Sequence, residues 1–280
     1  MIVTFYGVRG STPAPGIPFA RTGGHTSCVA LARREGSAPP LVLDAGTGLR
    51  VLGAALEGAA FEGTILLGHL HWDHTQGLPF FVGGDREGSR VTVLAPAQAD
   101  EPDLATVLAR MLAPPFFPVT PHELRGNWEF RGIEPGAFGA EGFDVVAREI
   151  PHKGGRTFGY RIGDSSSTIA YLSDHMPQAG GDGPAGLGEY HESAVALASG
   201  VDLLIHDAQY TATELPSRGP YGHAAAEYAV GLAEHAGARR VALFHHDPGR
   251  TDDEVDAIAA SLSSRSVEIL VAREGLTLRI

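Results

Sequence analysis

Short runs of hydrophobic residues bounded by turn residues recur along the chain, and their branched and aromatic side chains predict β-strands. Ten such runs are Ile2–Tyr6, Leu41–Leu43, Thr64–Leu67, Val91–Leu94, Asp144–Ile150, Tyr160–Ile162, Thr168–Leu172, Val201–Ile205, Arg240–Phe244 and Val267–Val271. The 37 glycines and 19 prolines of the chain are numerous enough to form many tight turns. The pattern therefore predicts a protein built largely on short strands.

Between some of these strands, apolar residues recur three and four positions apart, which is the spacing of one helix face. The helices that this predicts are Gly48–Leu56, Glu101–Leu112, Ala224–Ala236 and Asp252–Leu262. Thr251 and Glu254 have the spacing of a capping box at the start of the last helix. Strands that precede and separate a few helices favour a layered α/β fold over a doubly wound nucleotide-binding fold.

Two segments show no regular pattern. Residues 113–130 mix four prolines with aromatic side chains, and residues 175–193 are rich in glycine. Loops of this length are uncommon without a function such as a lid or a binding edge, although a surface excursion is an equal alternative for each. No linker is long or polar enough to divide the chain, so we predict one domain over residues 1–280.

Composition excludes several classes of protein. An apolar fraction of 43% excludes a disordered chain, and the absence of any uncharged stretch of 18 residues argues against a membrane-spanning helix. The N-terminal residues form a predicted strand and reach Arg9 before a secretory apolar region develops, so we expect a cytoplasmic protein. Cys28 is the only cysteine, which excludes a disulfide framework and a thiolate-rich zinc site.

Charge argues against a large nucleic-acid partner. The 21 Lys and Arg residues are outnumbered by 33 Asp and Glu residues, which gives a net charge of −12. Such a field repels a polyanion unless a basic groove overcomes it. The sequence contains no run of lysines or arginines, only scattered pairs such as Arg33–Arg34 and Arg239–Arg240. The 13 histidines, in contrast, are unusually many and direct attention to metal ligation.

The segment 64–81, TILLGHLHWDHTQGLPFF, concentrates the candidate chemistry. If the strand that begins at Thr64 continues extended, His69, His71 and Asp73 lie on one face with His74 just beyond. Four side chains that bind metals would then converge at the end of a strand. Imidazole and carboxylate without thiolate suit zinc, manganese, nickel or iron, so the pattern leaves the metal open.

This H-x-H-x-D-H string resembles the signature of the metallo-β-lactamase superfamily. Further motifs resemble its phosphodiesterase branch, which contains tRNase Z and the phosphoribosyl cyclic phosphate phosphodiesterases. They are GVRGSTP (7–13), GGHTSC (23–28), LDAGTGL (43–49), GY (159–160), HDAQY (206–210), GH (222–223) and FHHDP (244–248). The resemblance covers essentially the whole chain. It implies an αββα four-layer sandwich with two metals in a shallow cleft at one edge of the paired sheets.

The resemblance also implies the ligands of two divalent metal ions, for which Zn²⁺ is the first expectation and Mn²⁺, Ni²⁺ or Fe²⁺ are alternatives. One ion is expected on His69, His71 and His152, the other on Asp73, His74 and His245, with Asp174 bridging both. His246 remains an alternative to His245. A histidine at position 71 disfavours the di-iron redox members, which resemble H-x-E-x-D.

Two further groups are candidates around these ligands. In the tRNase Z-like branch, an acidic residue of the H-[DE]-A segment orients a later histidine that acts as general acid, which implies these roles for Asp207 and His223. A helix-capping role is the alternative for His223. We expect Asp73, Asp207 and His223 as the catalytic residues. Asp44 and Thr47 are candidates either to support the metal ligands or simply to form a turn.

The function expected from the resemblance is that of a metal-dependent hydrolase, a dinuclear phosphodiesterase. A metal-bridging hydroxide would attack a small phosphodiester, with a cyclic one favoured (a cyclic nucleotide or a phosphoribosyl cyclic phosphate), and His223 would protonate the leaving oxygen. The first alternative is a tRNase Z-like endonuclease that processes tRNA 3′ ends. Another hydrolase of the superfamily and a non-catalytic metal-binding sensor rank lower. We expect a small phosphodiester as partner, no membrane, and a homodimer by resemblance alone.

Overall fold

The computed structural model describes residues 1–263 and 265–280, and only the backbone of Pro184. The strands are β1 (Ile2–Gly7), β2 (Cys28–Ala32), β3 (Leu41–Leu43), β4 (Glu62–Leu66), β5 (Arg90–Pro96), β6 (Asn127–Ile133), β7 (Gly136–Ala140), β8 (Phe143–Glu149), β9 (Phe158–Gly163), β10 (Thr168–Leu172), β11 (Leu203–Asp207), β12 (Arg240–Phe244), β13 (Glu268–Val271) and β14 (Thr277–Arg279). The helices are α1 (Gly48–Ala55), α2 (Trp72–Thr75), α3 (Leu104–Ala109), α4 (Glu192–Ala198), α5 (Leu215–Arg218), α6 (Ala226–Ala236) and α7 (Asp252–Ser261).

In the described residues the strands form two mixed sheets that resemble each other in layout. The first has the order β14-β1-β2-β3-β4-β5-β6, and the second has the order β13-β12-β11-β10-β9-β8-β7. In each sheet the strands pair antiparallel at one side and parallel at the other, as β3 with β4 and β10 with β11. Helices connect the parallel strands, because such strands require a crossover connection.

Three hydrophobic cores separate four layers. The central core packs the two sheets together, with Phe5 and Phe143 among its fully buried side chains. A second core packs α4 and α6 on the second sheet, and a third packs α1 and α3 on the first. This arrangement of helix, sheet, sheet and helix confirms the expected αββα sandwich, while the prediction of a single domain stays a prediction.

Strand boundaries agree best with the sequence where strands are central and apolar. The predictions of β3, β10 and β12 match the observed bounds. The predictions missed β2, β6, β7 and β14, and the first four residues of β6 lie inside the segment 113–130, which was expected to be irregular. The strands β6, β7 and β14 lie at sheet edges, where side chains stay partly exposed and apolar runs are interrupted by glycine or charge.

Helix predictions succeeded where the apolar spacing extends over several turns. The capping box of α7 is confirmed, since the Thr251 backbone N–H donates to Glu254 Oε2 at 2.7 Å and the Glu254 N–H donates to Thr251 Oγ1 at 3.4 Å. The short helices α2, α4 and α5 were missed, because four to seven residues carry little periodicity. Among the described residues, every helix is too short or too polar to cross a bilayer.

Candidate metal centre

The signature motif folds as a loop and a helix, so the expected extended strand through His69, His71 and Asp73 is wrong. Strand β4 ends at Leu66, and α2 begins at Trp72 with His71 immediately before it. Asp73 and His74 lie in the single turn of α2 with buried side chains. The helical turn, and not a strand of period two, therefore brings these side chains toward His69.

The first of two side-chain clusters, called here the open cluster, consists of His69, His71, His152 and Asp174. His152 Nε2 lies 3.4 Å from His71 Nδ1 and 3.5 Å from Asp174 Oδ2, and His69 Nε2 lies 3.6 Å from the same oxygen. His71 is exposed, whereas the side chain of His152 is only 1% exposed, so this cluster faces solvent through His71. One ligand atom from each side chain lies within 4.8 Å of the others.

The second cluster, called the buried cluster, consists of Asp73, His74, Asp174 and His245. Asp174 Oδ1 lies 3.0 Å from His74 Nε2 and 3.2 Å from His245 Nε2. His245 Nε2 also lies 3.1 Å from Asp73 Oδ2. All four side chains are buried. The two clusters thus share Asp174, which directs one carboxylate oxygen toward each.

Several polar atoms in these clusters have no hydrogen-bond partner within the described part of the chain. Both carboxylate oxygens of Asp174 and both ring nitrogens of His69 are buried without such a partner. In addition, the Nε2 atoms of His74 and His245 face each other at 3.3 Å. Buried groups of this kind are normally paired or bind metals. The nitrogen and oxygen donors therefore fit a dinuclear divalent metal site, as predicted from the sequence.

Of the two adjacent histidines, His245 reaches the buried cluster and His246 does not. His245 has a positive φ of 57°, which is uncommon for a residue with a side chain and is typical of functional sites. The ring of His246 turns away, and its Nε2 donates to the carbonyl of Ala272 at 3.0 Å. Burial lowers the pKa of His246 to about 3, so this ring stays neutral. The geometry thus separates two candidates that the sequence left open.

Asp44 supports the buried cluster through His74. Its Oδ2 accepts hydrogen bonds from His74 Nδ1 at 2.7 Å and from the Tyr171 hydroxyl at 2.7 Å, and its Oδ1 accepts from the Gly68 N–H at 2.8 Å. A donor bond at Nδ1 directs the Nε2 lone pair of His74 toward the cluster. Burial disfavours the charged form of His74, but Asp174, Asp73 and Asp44 outweigh it and raise its pKa well above the usual range.

Thr47, which was considered with Asp44, has a different role. Its hydroxyl accepts from the Thr26 backbone N–H at 2.9 Å, so it holds the loop before α1.

The Ser11 amide was not predicted at all, yet it donates to Asp73 Oδ2 at 2.7 Å. Ser11 has a φ of 63°, and it contacts Asp73 through its main chain, so the residue type at position 11 could not predict this contact. The motif GVRGSTP, which contains Ser11, was the only feature of the sequence that pointed to this loop.

Asp207 and His223 form the second predicted constellation. His223 Nδ1 lies 3.0 Å from Asp207 Oδ2, and both side chains are buried. Asp207 also accepts from the N–H of Gln209 at 3.0 Å, which fixes its orientation. The capping alternative does not match the structure, because α6 begins at Ala226, beyond His223. Burial lowers the pKa of His223, but the Asp207 carboxylate outweighs it and the net pKa is raised to about 9.

The structure thus brings together every predicted ligand, and it places His223 beside them. His223 Nδ1 is 3.7 Å from Asp174 Oδ2, and the His223 ring also lies 5.0 Å from the ring of His245, so His223 adjoins both clusters. Cys28 is buried in β2 and belongs to neither cluster. The roles of these residues in binding and catalysis stay predictions.

Comparison with known proteins gives a consistent result. The sequence pattern of the Beta-lactamase superfamily domain matches residues 41–246. Ribonuclease Z of Limosilactobacillus fermentum is 27% identical over 224 residues, which cover 65% of this chain and 68% of that protein. Ribonuclease Z of Halobacterium salinarum is 32% identical over 110 residues, which cover 39% of this chain and only 31% of that protein.

Among solved structures, the metallo-β-lactamase fold protein YhfI from Bacillus subtilis has a TM-score of 0.71 at 20% identity, covering 99% of this chain and 98% of that one. These structural similarities establish the fold. The resemblance found in the motifs is confirmed, and with it the prediction of a metal-dependent hydrolase.

Proposed function

The chain belongs to the beta-lactamase superfamily, and on that premise we propose that it is a dinuclear phosphodiesterase acting on a small phosphodiester, with a cyclic one favoured. The observation that carries the proposal is Asp174, which presents one oxygen to each cluster, with the Asp207–His223 pair beside it. Paired divalent cations flanked by a proton donor suit in-line displacement at phosphorus.

Two divalent metal ions would be held by the open and the buried cluster, with Asp174 common to both. When bound, they would supply Lewis acidity to a phosphoryl oxygen and lower the pKa of water. Zinc is our first choice because imidazole and carboxylate are its usual ligands where thiolate is absent. Manganese, nickel and iron accept the same donors and are tested beside it.

The protein's own residues orient the rings of the metal ligands and supply a proton. Asp44 fixes the ring of His74, and the carbonyl of Gly222 accepts from His152 Nδ1 at 2.7 Å, so both rings present Nε2 to the centre. Asp207 accepts from His223 Nδ1, which leaves Nε2 of that ring as the position that exchanges its proton. Because the Asp207 carboxylate favours the protonated ring, the proton on Nε2 can pass to the departing alkoxide oxygen.

A small substrate is favoured over precursor tRNA by charge. The net charge of −12 disfavours a polyanion, and arginines in the described residues near the site are paired with acids, as Arg218 with Asp247 and Arg250 with Glu214. The second candidate, tRNA 3′-end processing, is favoured by similarity to the ribonuclease Z of Limosilactobacillus fermentum, at 27% identity.

The test is a substrate panel on protein reconstituted with zinc, manganese or nickel. It contains bis-p-nitrophenyl phosphate, 2′,3′-cyclic nucleotides, a phosphoribosyl cyclic phosphate and precursor tRNA. We expect two metal equivalents and the highest kcat/KM on a small diester. Cleavage of precursor tRNA with a far higher kcat/KM would establish the second candidate instead. Two bound metals without turnover of any phosphodiester would contradict both, and well under one metal equivalent would favour a sensor.

A further inference from the structure

An apolar cavity of about 380 Å³ opens on the surface beside the metal centre. Its walls carry large side chains that are unusually exposed, namely Trp72 at 72%, Phe80 at 55% and Phe116 at 80%. Pro79, Met111, Leu112 and Phe117 complete the apolar lining, and the polar members are Gln76 and Arg110, which is paired with Asp100. Exposed apolar surface that is gathered into a concave site commonly marks a place of binding.

The cavity and the metal centre both draw residues from α2. Trp72 stands in the chain between His71 and Asp73, and its exposed side chain lines the cavity while Asp73 and His74 point into the protein. The Thr75 hydroxyl donates to the carbonyl of His71 at 2.9 Å, which closes this turn. Neighbouring residues of one short segment thus supply a wall of the cavity and candidate ligands of the metal centre.

The opposite wall is attached to the same helix. Thr75 Oγ1 lies 3.8 Å from Met111 Sδ, and the rings of Phe80 and Phe117 meet edge to face at 5.8 Å. The segment 113–117, which showed no regular pattern in the sequence, thus supplies one side of the cavity. Rings held by contacts on both walls form a slot of aromatic and thioether groups.

We infer that this cavity binds the aromatic base of the substrate, so that the preferred phosphodiester is a nucleotide and not a phosphoribosyl compound without a base. This inference rests on the proposed function. Aromatic walls stack well on a planar base, and the amide of Gln76 can meet the polar edge of one. The volume is at the small end for ligand sites, which suits one base better than a segment of another protein.

Fluorescence gives a direct test, because Trp72 and Trp128 are the only tryptophans of the chain. In Trp128→Phe, Trp72 is the sole tryptophan, and the metal-loaded protein is titrated with adenosine 3′-phosphate and with ribose 5-phosphate. We expect the adenosine compound to quench Trp72 and to bind about tenfold more tightly. Equal affinities, or no quenching by the adenosine compound, would overturn the inference.

Substitutions in the wall complete the test. Trp72→Ala and Phe116→Ala should each bring the affinities for adenosine 3′-phosphate and ribose 5-phosphate close to equality. Ile17→Ala is the control, because it changes an apolar side chain that is 91% exposed and lies outside this cavity, and it should leave the tenfold preference unchanged. If Phe116→Ala instead lowers the mass in sedimentation equilibrium and keeps the preference, the face joins two copies and the inference is wrong. Failure of the metal-loaded protein on every phosphodiester would refute the proposed function separately, because the titration measures binding alone.

A second and independent observation concerns Lys153, the only lysine of the sequence, which follows His152. Its Nζ donates to the carbonyl of Pro220 at 2.9 Å, and the described residues place no carboxylate within salt-bridge distance of it. Nearby Arg156, in contrast, is paired with Glu134 and Glu149. The ammonium group of Lys153 therefore retains donors and an uncompensated positive charge.

The turn that carries Lys153 packs against both functional groups of the site. A Cβ atom on Gly154 would lie 3.0 Å from His71 Nε2, and one on Gly222 would lie 2.9 Å from Lys153 Cβ. Gly222 directly precedes His223. We propose that Lys153 contacts an anionic oxygen of the substrate phosphate, which again rests on the proposed function. Lysine serves as a mobile point charge in phosphate sites.

A single lysine permits a chemical test. Acetylation of Lys153 by an N-hydroxysuccinimide ester is followed by mass spectrometry, with an added peptide that contains one lysine as internal reference. Inorganic phosphate should slow acetylation of Lys153 about tenfold in the metal-loaded protein and leave the reference peptide unchanged. An unchanged rate at Lys153 would show that phosphate does not reach it and would overturn the proposal.

Variants give the second readout. Lys153→Met should raise the inhibition constant of phosphate about tenfold, and Lys153→Arg should keep most of the affinity, while inhibition by the neutral metal ligand acetohydroxamic acid stays the same. Arg131→Met, at an exposed position on β6, removes an equal charge as the control. Equal weakening of phosphate and acetohydroxamic acid would assign Lys153 to holding the turn. Absence of phosphodiester turnover in the unaltered protein would instead refute the proposed function.

Discussion

The buried and open clusters share Asp174 but are held by different parts of the protein. The buried cluster has carboxylate and amide groups behind it, because Asp44 accepts from His74 and the Ser11 N–H donates to Asp73. The open cluster has an exposed His71, and its His152 is held by the main-chain carbonyl of Gly222 in a turn. One cluster is thus enclosed on all sides by the protein, and the other is open to solvent at His71.

This difference suggests a division of roles. A ligand set surrounded by protein on all sides exchanges metal and ligands slowly, because its donors are locked by further hydrogen bonds. A set that faces solvent admits water and substrate. We therefore expect the buried cluster to retain its metal while the open cluster exchanges and meets the substrate, and the following predictions test this contrast.

The largest effect is expected from Asp174→Ala, because this residue belongs to both clusters. The variant should lose most of both bound metals, measured by elemental analysis, and its phosphodiester turnover should fall to background. The shared carboxylate offsets the repulsion between two cations. Retention of two metal equivalents together with normal turnover would contradict the bridging role.

His223→Ala should spare both clusters and still lower activity. Loss of a general acid costs about 100-fold to 10,000-fold for a poor leaving group such as a ribose alkoxide. The loss should be far smaller for p-nitrophenolate, which leaves without a proton, and two metals should remain bound. Asp207→Asn should show the same pattern more weakly. Equal slowing of both substrates would instead assign His223 to phosphate binding or to the shape of the cleft.

Asp44→Asn should weaken the buried cluster selectively. Removal of a partner behind a metal ligand lowers metal affinity about 10-fold to 100-fold, and Asp44 contacts His74 alone among the ligands. Titration with zinc should show one weakened and one unchanged site. Ser173→Ala, which removes a single 3.1 Å hydrogen bond to Asp44, is the matched control and should change the affinity little. Weakening of both sites alike would show that the clusters are not held independently.

The smallest effect is a difference in rate. Incubation of the metal-loaded protein with a chelator should release metal in two phases, the first from the open cluster and the second from the buried one. His71→Ala should remove the fast phase and keep the slow one, because His71 belongs only to the open cluster. A single phase in the unaltered protein would argue against the contrast between the clusters.

Much of the centre could be predicted because its chemistry is local in the sequence. Four of the seven predicted ligands lie in one six-residue string, and the other three follow predicted strands or lie between them. The string was recognised even though the conformation assigned to it was wrong. An extended strand would hold His69 and Asp73 about 13 Å apart, so only the turn of α2 brings them together. The donor types could be predicted from the string itself, and not from the conformation assigned to it.

The capping box of α7 and the bounds of β3, β10 and β12 were also accessible from the sequence, since contacts over a few residues and continuous apolar runs specify them. Edge strands and one-turn helices were not, because partial exposure and short length remove their periodicity. The choice of His245 over His246 depends on a left-handed backbone conformation, which no local pattern revealed.

The sequence by itself determined which donor types meet at the centre and the α/β character of the fold. Only the tertiary structure decided how each donor is oriented. The Tyr171 hydroxyl reaches Asp44 across 127 residues of sequence, and Ser11 reaches Asp73 across 62. Such contacts arise when two sheets pack and carry distant loops to one edge, so the physical information lies in the packing and not in any segment of the chain.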